Sequence, residues 1–200
     1  MAKAMKKEGL KVTDEKDIPY AGENPKTGLP QGVDQGWDYQ PGASLIDRTL
    51  VSFSEKMEKQ NQETAVAAVS TLVNSPVFHH WLEDPQGHFP LAVLSEPAAA
   101  AIGAKTRVAH LSPETVAKQQ AHHPELTPDE YAQAQHCVDQ GERIQDSPLS
   151  LIYFLEETGY VTVVKATKTG EAVFVTSFRR LSEDAAKRGS EIRRLRRKKT

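Results

Sequence analysis

Residues 149–180 read LSLIYFLEETGYVTVVKATKTGEAVFVTSFRR. Three runs rich in β-branched and aromatic residues, 149–156, 160–166 and 172–178, are separated by Glu157-Thr-Gly159 and Lys168-Thr-Gly170. Runs of this composition favour strands, and short glycine-containing gaps between them favour hairpins. The segment therefore predicts consecutive antiparallel strands. Upstream the pattern turns helical. Ser112 followed by Pro113 and Glu114 marks a helix start, and that helix stops before Pro124. Thr127-Pro-Asp-Glu130 has the spacing of a capping box, which predicts a second helix up to Gly141. Residues 107–111 make a short strand. Helices followed by hairpin-linked strands predict an α+β layer, an antiparallel sheet with helices on one face.

Further outward the chain changes character. Residues 18–42 carry Pro19, Gly22, Pro25, Gly28, Pro30, Gly32, Gly36, Pro41 and Gly42, so they predict a loop or extended arm. Trp37 and Tyr39, with Tyr20, are the large side chains that would anchor it. Leu45, Ile46, Leu50, Val51 and Phe53 begin a helical pattern that Val66, Val69, Leu72 and Val73 continue on one face. Asn74-Ser-Pro76 stops it. Ser75 then caps a short helix with Pro76 at its first position, carrying Phe78 and Trp81. Residues 90–94 predict a strand, and 98–102 a short helix closed by Gly103. The expected organisation is a lead and Pro/Gly-rich arm (1–44), a helical linker region (45–104), a compact α+β domain (105–180) and a basic tail (181–200).

The bulk properties narrow the function classes. A chain of 200 residues predicts one or two small domains. Hydrophobic residues make up 38% and the mean hydropathy is −0.54, which predicts a modest core and some loose chain. No apolar run reaches the length of a transmembrane helix, so no membrane partner is expected. The first 16 residues lack the apolar segment of a signal peptide. Cys137 is the single cysteine, which excludes an intramolecular disulfide and a Cys-based zinc cluster and fits a reducing compartment. The net charge of −2 is uneven: residues 181–200 carry eight Lys or Arg against three acids. Two readings of that tail stand, a polyanion-binding element or a solvated chain end.

Candidate chemistry is sparse. His122-His123-Pro-Glu125 is the densest polar group. Histidine suits proton transfer near neutral pH, while a helix-end histidine is also what the helix dipole favours. Metal-ligand spacing such as HExxH is absent, so no metal and no cofactor is expected. Strand alternation places Lys165 on one face with Val161 and Val163, and Ser177 on one face with Val173 and Val175. Arg179 and Arg180 extend the last strand. If the two strands pair, Lys165, Ser177 and Arg179 converge, and such a set of cations and a hydroxyl suits a phosphate. The competing reading is solvated strand ends. Tyr131, Tyr153 and Tyr160 are either core residues or stacking platforms for unpaired bases. His79 and His80 read as packing residues.

Two groups of segments share a resemblance. Asn24-Pro-Lys-Thr-Gly-Leu-Pro30 and Gly36-Trp-Asp-Tyr-Gln-Pro-Gly42, then Phe78, Trp81, Asp84-Pro-Gln-Gly87 and Phe89-Pro-Leu-Ala-Val-Leu94, resemble the C-terminal region of phage Mu F-like head morphogenesis (minor capsid) proteins. Gln40 stands where that family usually has Asn. Residues 108–112, Glu114-Thr115, Lys118-Gln119, His123-Pro-Glu-Leu126, Tyr131, 160–167 and 173–180 resemble the phage variant of the Barnase–EndoU–colicin–RelE nuclease-like superfamily. The family's larger N-terminal head-morphogenesis domain and its Cys-rich junction have no counterpart here. The resemblance covers roughly residues 18–180 and implies a nuclease-like α+β fold, with metal-independent RNA cleavage by attack of the ribose 2′-OH on the adjacent phosphorus.

Carried onto this chain, the resemblance implies His123 or His122 as acid and base, and Lys165 and Arg179 as charge stabilisers. Ser177 and Thr167 would hydrogen-bond phosphate, with Tyr131 and Arg180 also contacting substrate. RNA is the implied substrate, capsid or portal proteins are the implied partners, and the implied location is the virion or the host bacterial cytoplasm. The alternative is a non-catalytic head component whose arm docks on capsid or portal and whose basic tail touches packaged DNA. A third reading is a toxin-like tRNA or mRNA nuclease acting apart from the virion. Fold resemblance alone does not decide between them.

Overall fold

The computed structural model describes residues 43–198. The expectations for residues 1–42, including the arm with Trp37 and Tyr39, lie outside the described residues. The described chain is α+β. Its elements are α1 (Ala43–Glu58), α2 (Gln62–Val73), α3 (Pro76–Glu83), β1 (Phe89–Val93), α4 (Glu96–Ala101), β2 (Val108–Leu111), α5 (Pro113–His122), a 3-10 turn (Pro128–Ala132), α6 (Gln133–Gln140), β3 (Glu142–Ser147), β4 (Ser150–Leu155), β5 (Tyr160–Ala166), β6 (Val173–Arg180) and α7 (Ala185–Arg196).

One six-stranded sheet runs in the order β1-β2-β6-β5-β4-β3. The predicted hairpins β4–β5 and β5–β6 are present, with Gly159 and Gly170 at positive φ in or beside their turns. The sheet is nevertheless mixed rather than antiparallel. β2 pairs parallel to β6 through Ala109↔Val173 and His110↔Phe174. Each hairpin unit is antiparallel within itself, and the parallel joint arises where the β1–β2 pair meets the β3–β6 meander. β3 has no counterpart in the expected elements. Its sequence, Glu-Arg-Ile-Gln-Asp-Ser, buries only Ile144. That is the polar composition of an edge strand, which suppresses pairing with foreign chains and also hides the strand from pattern reading.

The apolar pattern at 45–73 is split into two helices. Asn61 ends the continuity by capping α2, its side-chain oxygen accepting from the Thr64 amide at 2.8 Å. Leu50, Phe53, Met57, Val69 and Leu72 are all buried, while Val51, expected on the same face, is 51% exposed. Residues 45–104 do more than link. They supply β1 to the sheet, and their side chains share one core with β2, α5, α6 and the meander. A continuous run of rings marks this core. Phe78 lies 4.8 Å from Phe89 and 5.4 Å from Tyr131, Tyr131 lies 5.4 Å from Phe178, and Phe178 stacks on Tyr160 at 5.3 Å. Such ring pairs add about 0.5–1.5 kcal/mol each beyond the area they bury.

Both faces of the sheet are covered, not one. Val164 and Ala166 of β5 point into the main core, and the alternate residues Val161 and Val163 face the other side. There α7, built from residues expected to be a tail, lays Ile192 and Leu195 over Ile144, Ile152 and Phe154. Asp184 caps it by accepting from the Lys187 amide at 2.8 Å. With an apolar stripe this narrow in so basic a helix, the sequence pattern alone reads as solvated chain. Part of the helix charge is matched by the meander: Arg196 reaches Glu142 at 2.9 Å and Lys198 reaches Asp146 at 2.7 Å.

Candidate active site

An open cleft of about 390 Å³ lies between α5 and β6, lined by Lys118, Gln119, His122, His123, Thr176 and Ser177. Local sequence builds each wall. On α5, Ser112 caps the first turn by accepting from the Thr115 amide at 3.3 Å, with Pro113 in the first turn. Four-residue spacing then stacks Lys118 with His122, and Gln119 with His123 at the C-cap, on one side of the helix. Val116 and Gln119 are the buried residues of this helix, anchoring it to the core.

The other wall depends on a bulge. Val163 pairs with Ser177 and Val164 with Val175, so Thr176 is an extra residue in β6. Successive strand residues ordinarily face opposite sides, but a bulge re-aims a side chain. Thr176 and Ser177 are the residues of this irregular stretch that line the cleft. The bulge also overturns the expected phase of β6. Val173, Val175 and Phe178 are buried in the main core, and Ser177 does not continue the Val173–Val175 row.

His123 Nδ1 lies 3.3 Å from Glu125 Oε1, and the His123 side chain is 32% exposed. A carboxylate at that nitrogen favours the Nδ1–H tautomer and leaves Nε2 as the basic nitrogen. His122 is the last residue of α5.

Of the expected site residues, His122, His123 and Ser177 meet in the cleft, and the others do not. Lys165 is exposed and pairs in register with Phe174 and Ser150, three positions and therefore roughly 10 Å along the strand from Ser177. Arg179 is ion-paired with Glu191 of α7 and also donates from Nη1 to its neighbour's carbonyl, that of Arg180, at 3.1 Å. Thr167 closes the β5–β6 turn, its hydroxyl accepting from the Ala172 amide at 3.2 Å. Tyr131 is 4% exposed and packed among rings, so it offers no face for a base. Burial pushes its phenol up to about 12. Tyr153 is buried in the core as well. His79 and His80 sit at the surface beside Asp129 (3.2 Å) and Glu83 (3.6 Å) rather than in packing.

Arg180 is a brace. Its Nη2 donates to Glu130 Oε2 at 2.7 Å, and the Tyr160 hydroxyl donates to Glu130 Oε1 at 2.7 Å. Glu130 in turn accepts from the Thr127 amide at 2.8 Å, which realises the expected capping-box contact at the start of a 3-10 turn. The brace ties the chain just beyond His123 to the end of β6, and so holds the two walls of the cleft at a set spacing. The guanidinium of Arg180, together with the Thr127 and Tyr160 donors, holds the Glu130 carboxyl down at about 2. A depressed folded-state value stabilises the fold above the ordinary carboxyl value of 4.5, and that contribution is lost as pH falls from 4.5 through about 2. Denaturant midpoints measured across that window are expected to fall for the wild type. Glu130→Gln is expected to remove this part of the slope. Parallel slopes in the two proteins would mean that the brace is not titrating.

Lys118, Gln119 and Thr176 were not expected in the site. The four-residue spacing of Lys118 and His122 is a usable signal for the first. Nothing in Val-Phe-Val-Thr-Ser-Phe marks the bulge that brings in Thr176. Among the described residues no group of three or more His, Cys, Asp or Glu could hold a metal ion, and no helix is long and apolar enough to cross a membrane. Comparison with known proteins found no matching family model, no matching curated protein and no matching solved structure.

Proposed function

We propose that the α5–β6 cleft binds a phosphodiester and that the protein is a metal-independent, ribonuclease-like component associated with phage head morphogenesis. One observation carries the chemical part: two histidines, a lysine and two hydroxyls line a single cleft of about 390 Å³. His123, oriented by Glu125, takes the proton of a ribose 2′-OH as its oxygen bonds to phosphorus. His122 returns a proton to the departing 5′-oxygen as the P–O5′ bond breaks, which leaves a 2′,3′-cyclic phosphate and a 5′-hydroxyl. Lys118 takes the charge-stabilising role first assigned to Lys165 and Arg179. Ser177 donates to a non-bridging oxygen. The phage-head association rests on the sequence resemblance, with the virion or the host cytoplasm as the place of action.

The test is incubation of mixed tRNA and of single-stranded RNA with purified protein in EDTA. Wild type is expected to cleave, and Lys118→Ala to cleave about 10²-fold more slowly, the scale of losing one charge-stabilising group. Background-level cleavage by both would sink the enzymatic reading. The non-catalytic reading, a head component touching DNA, is supported by the exposed Arg193 and Arg194 of α7 and Arg197 at its C-cap. It requires steeply salt-dependent DNA binding without RNA cleavage.

A further inference from the structure

Gln119 is a glutamine where a helix facing a core would ordinarily carry an apolar residue. It is 4% exposed and is one of the residues that line the α5–β6 cleft. Its Oε1 accepts from the Tyr131 hydroxyl at 2.8 Å, and Tyr131 is itself clamped between Phe78 and Phe178. The carboxamide oxygen thus faces the phenol. Its Nε2 is buried and has no hydrogen-bond partner among the described residues. A buried N–H without an acceptor loses its hydration without compensation, and such groups are rare in folded proteins. An acceptor arriving in the cleft removes that cost.

We propose that Gln119 Nε2 is the buried donor of an oxoanion pocket and binds a phosphate oxygen. The other five lining residues are Lys118, His122, His123, Thr176 and Ser177, every one able to donate, and none of the lining residues is a carboxylate. A lining that gathers a lysine, two imidazoles and two hydroxyls and holds no carboxylate favours an anion. Gln119 thus sets the depth at which the phosphate sits, and Tyr131 sets Gln119. Tyr131, which the resemblance implies as a substrate contact, is instead a positioning residue acting through the carboxamide. This inference rests on reading the cleft as a phosphodiester site.

The experiment is a titration of inorganic phosphate at constant pH, followed by the ring resonances of His122 and His123. Wild type is expected to show saturable shifts. Gln119→Met, which keeps the volume and removes the donor, is expected to bind at least about tenfold more weakly. Gln119→Glu keeps an acceptor for Tyr131 and adds a charge, and is expected to lose the response, with a thermal melt of each variant checking that it is folded at the titration temperature. Equal affinity in wild type and Gln119→Met, or no response in wild type, overturns the pocket. RNA cleavage assayed on the same samples separates the two ideas. Cleavage by wild type together with unchanged phosphate affinity in Gln119→Met overturns the pocket and leaves the ribonuclease reading standing. Phosphate binding that needs Gln119, without RNA cleavage by wild type, supports the pocket and ends the ribonuclease reading.

Discussion

His123→Ala is expected to lower the rate of RNA cleavage by about 10²–10⁴-fold, the usual contribution of a positioned general base. The histidine closes α5 as its C-cap, lines the cleft opposite the bulged part of β6, and has Glu125 at 3.3 Å from Nδ1. His122→Ala is expected to fall in the same range, because the leaving oxygen must also be protonated. The double variant is expected to lose little more than either single one, since groups acting in one step do not contribute independently. Lys165→Ala is the control. It removes an exposed cation that does not line the cleft, so its rate is expected to stay near wild type. Steady-state rates on one RNA, with thermal melts as a fold check, decide the matter. A Lys165→Ala loss as large as that of His123→Ala would move the chemistry out of the α5–β6 cleft and onto the open face of β5.

Gly170→Ala is expected to destabilise the fold by on the order of 3 kcal/mol or more, and Gly159→Ala by only about 1 kcal/mol. Both glycines have positive φ, 73° and 77°, so an alanine meets a similar conformational penalty at each. They differ in their surroundings. A Cβ at Gly159 meets nothing within 4 Å, whereas a Cβ at Gly170 falls 2.2 Å from the backbone oxygen of Gly103. The Gly170 carbonyl also accepts from the Lys105 amide at 2.8 Å. Backbone cannot move aside as a side chain can, so the β5–β6 turn would have to leave the loop after α4. Urea denaturation of the two variants measures the difference. Equal losses would show that the turn does not rest against that loop.

The elements that repeat a local rule were legible in the sequence. The hairpin turns at Gly159 and Gly170, the cap at Ser112, the box at Thr127 and Glu130, and the α+β character all follow from neighbours a few residues apart. What escaped depends on distant partners. β3 carries one buried side chain and exists because β4 lies beside it. The parallel β2–β6 joint is a meeting of two units that each read as complete. The bulge at Thr176 shifts the phase of β6 within a run that alternates cleanly on paper, so Ser177 was found for the wrong reason. Arg179 and Arg180 looked like free cations because Glu191 and Glu130 are far from them in the chain or on another element. The histidines were found because two adjacent ring residues at a helix end are visible without any tertiary knowledge, whereas Gln119 becomes notable only once its buried, unpaired amide is seen.

The parallel joint between β2 and β6 also orders events in time. Hairpins within the β3–β6 meander and the β1–β2 pair close short loops, and short closures are fast. The β2–β6 seam must instead bring residue 109 beside residue 173, with α5, the 3-10 turn, α6 and three strands in between. The cleft takes its walls from α5, which follows β2 in the chain, and from β6 itself. A chain emerging from the ribosome therefore holds both histidines well before it holds Thr176 and Ser177, and the pocket comes into being only when the last strand is laid in place.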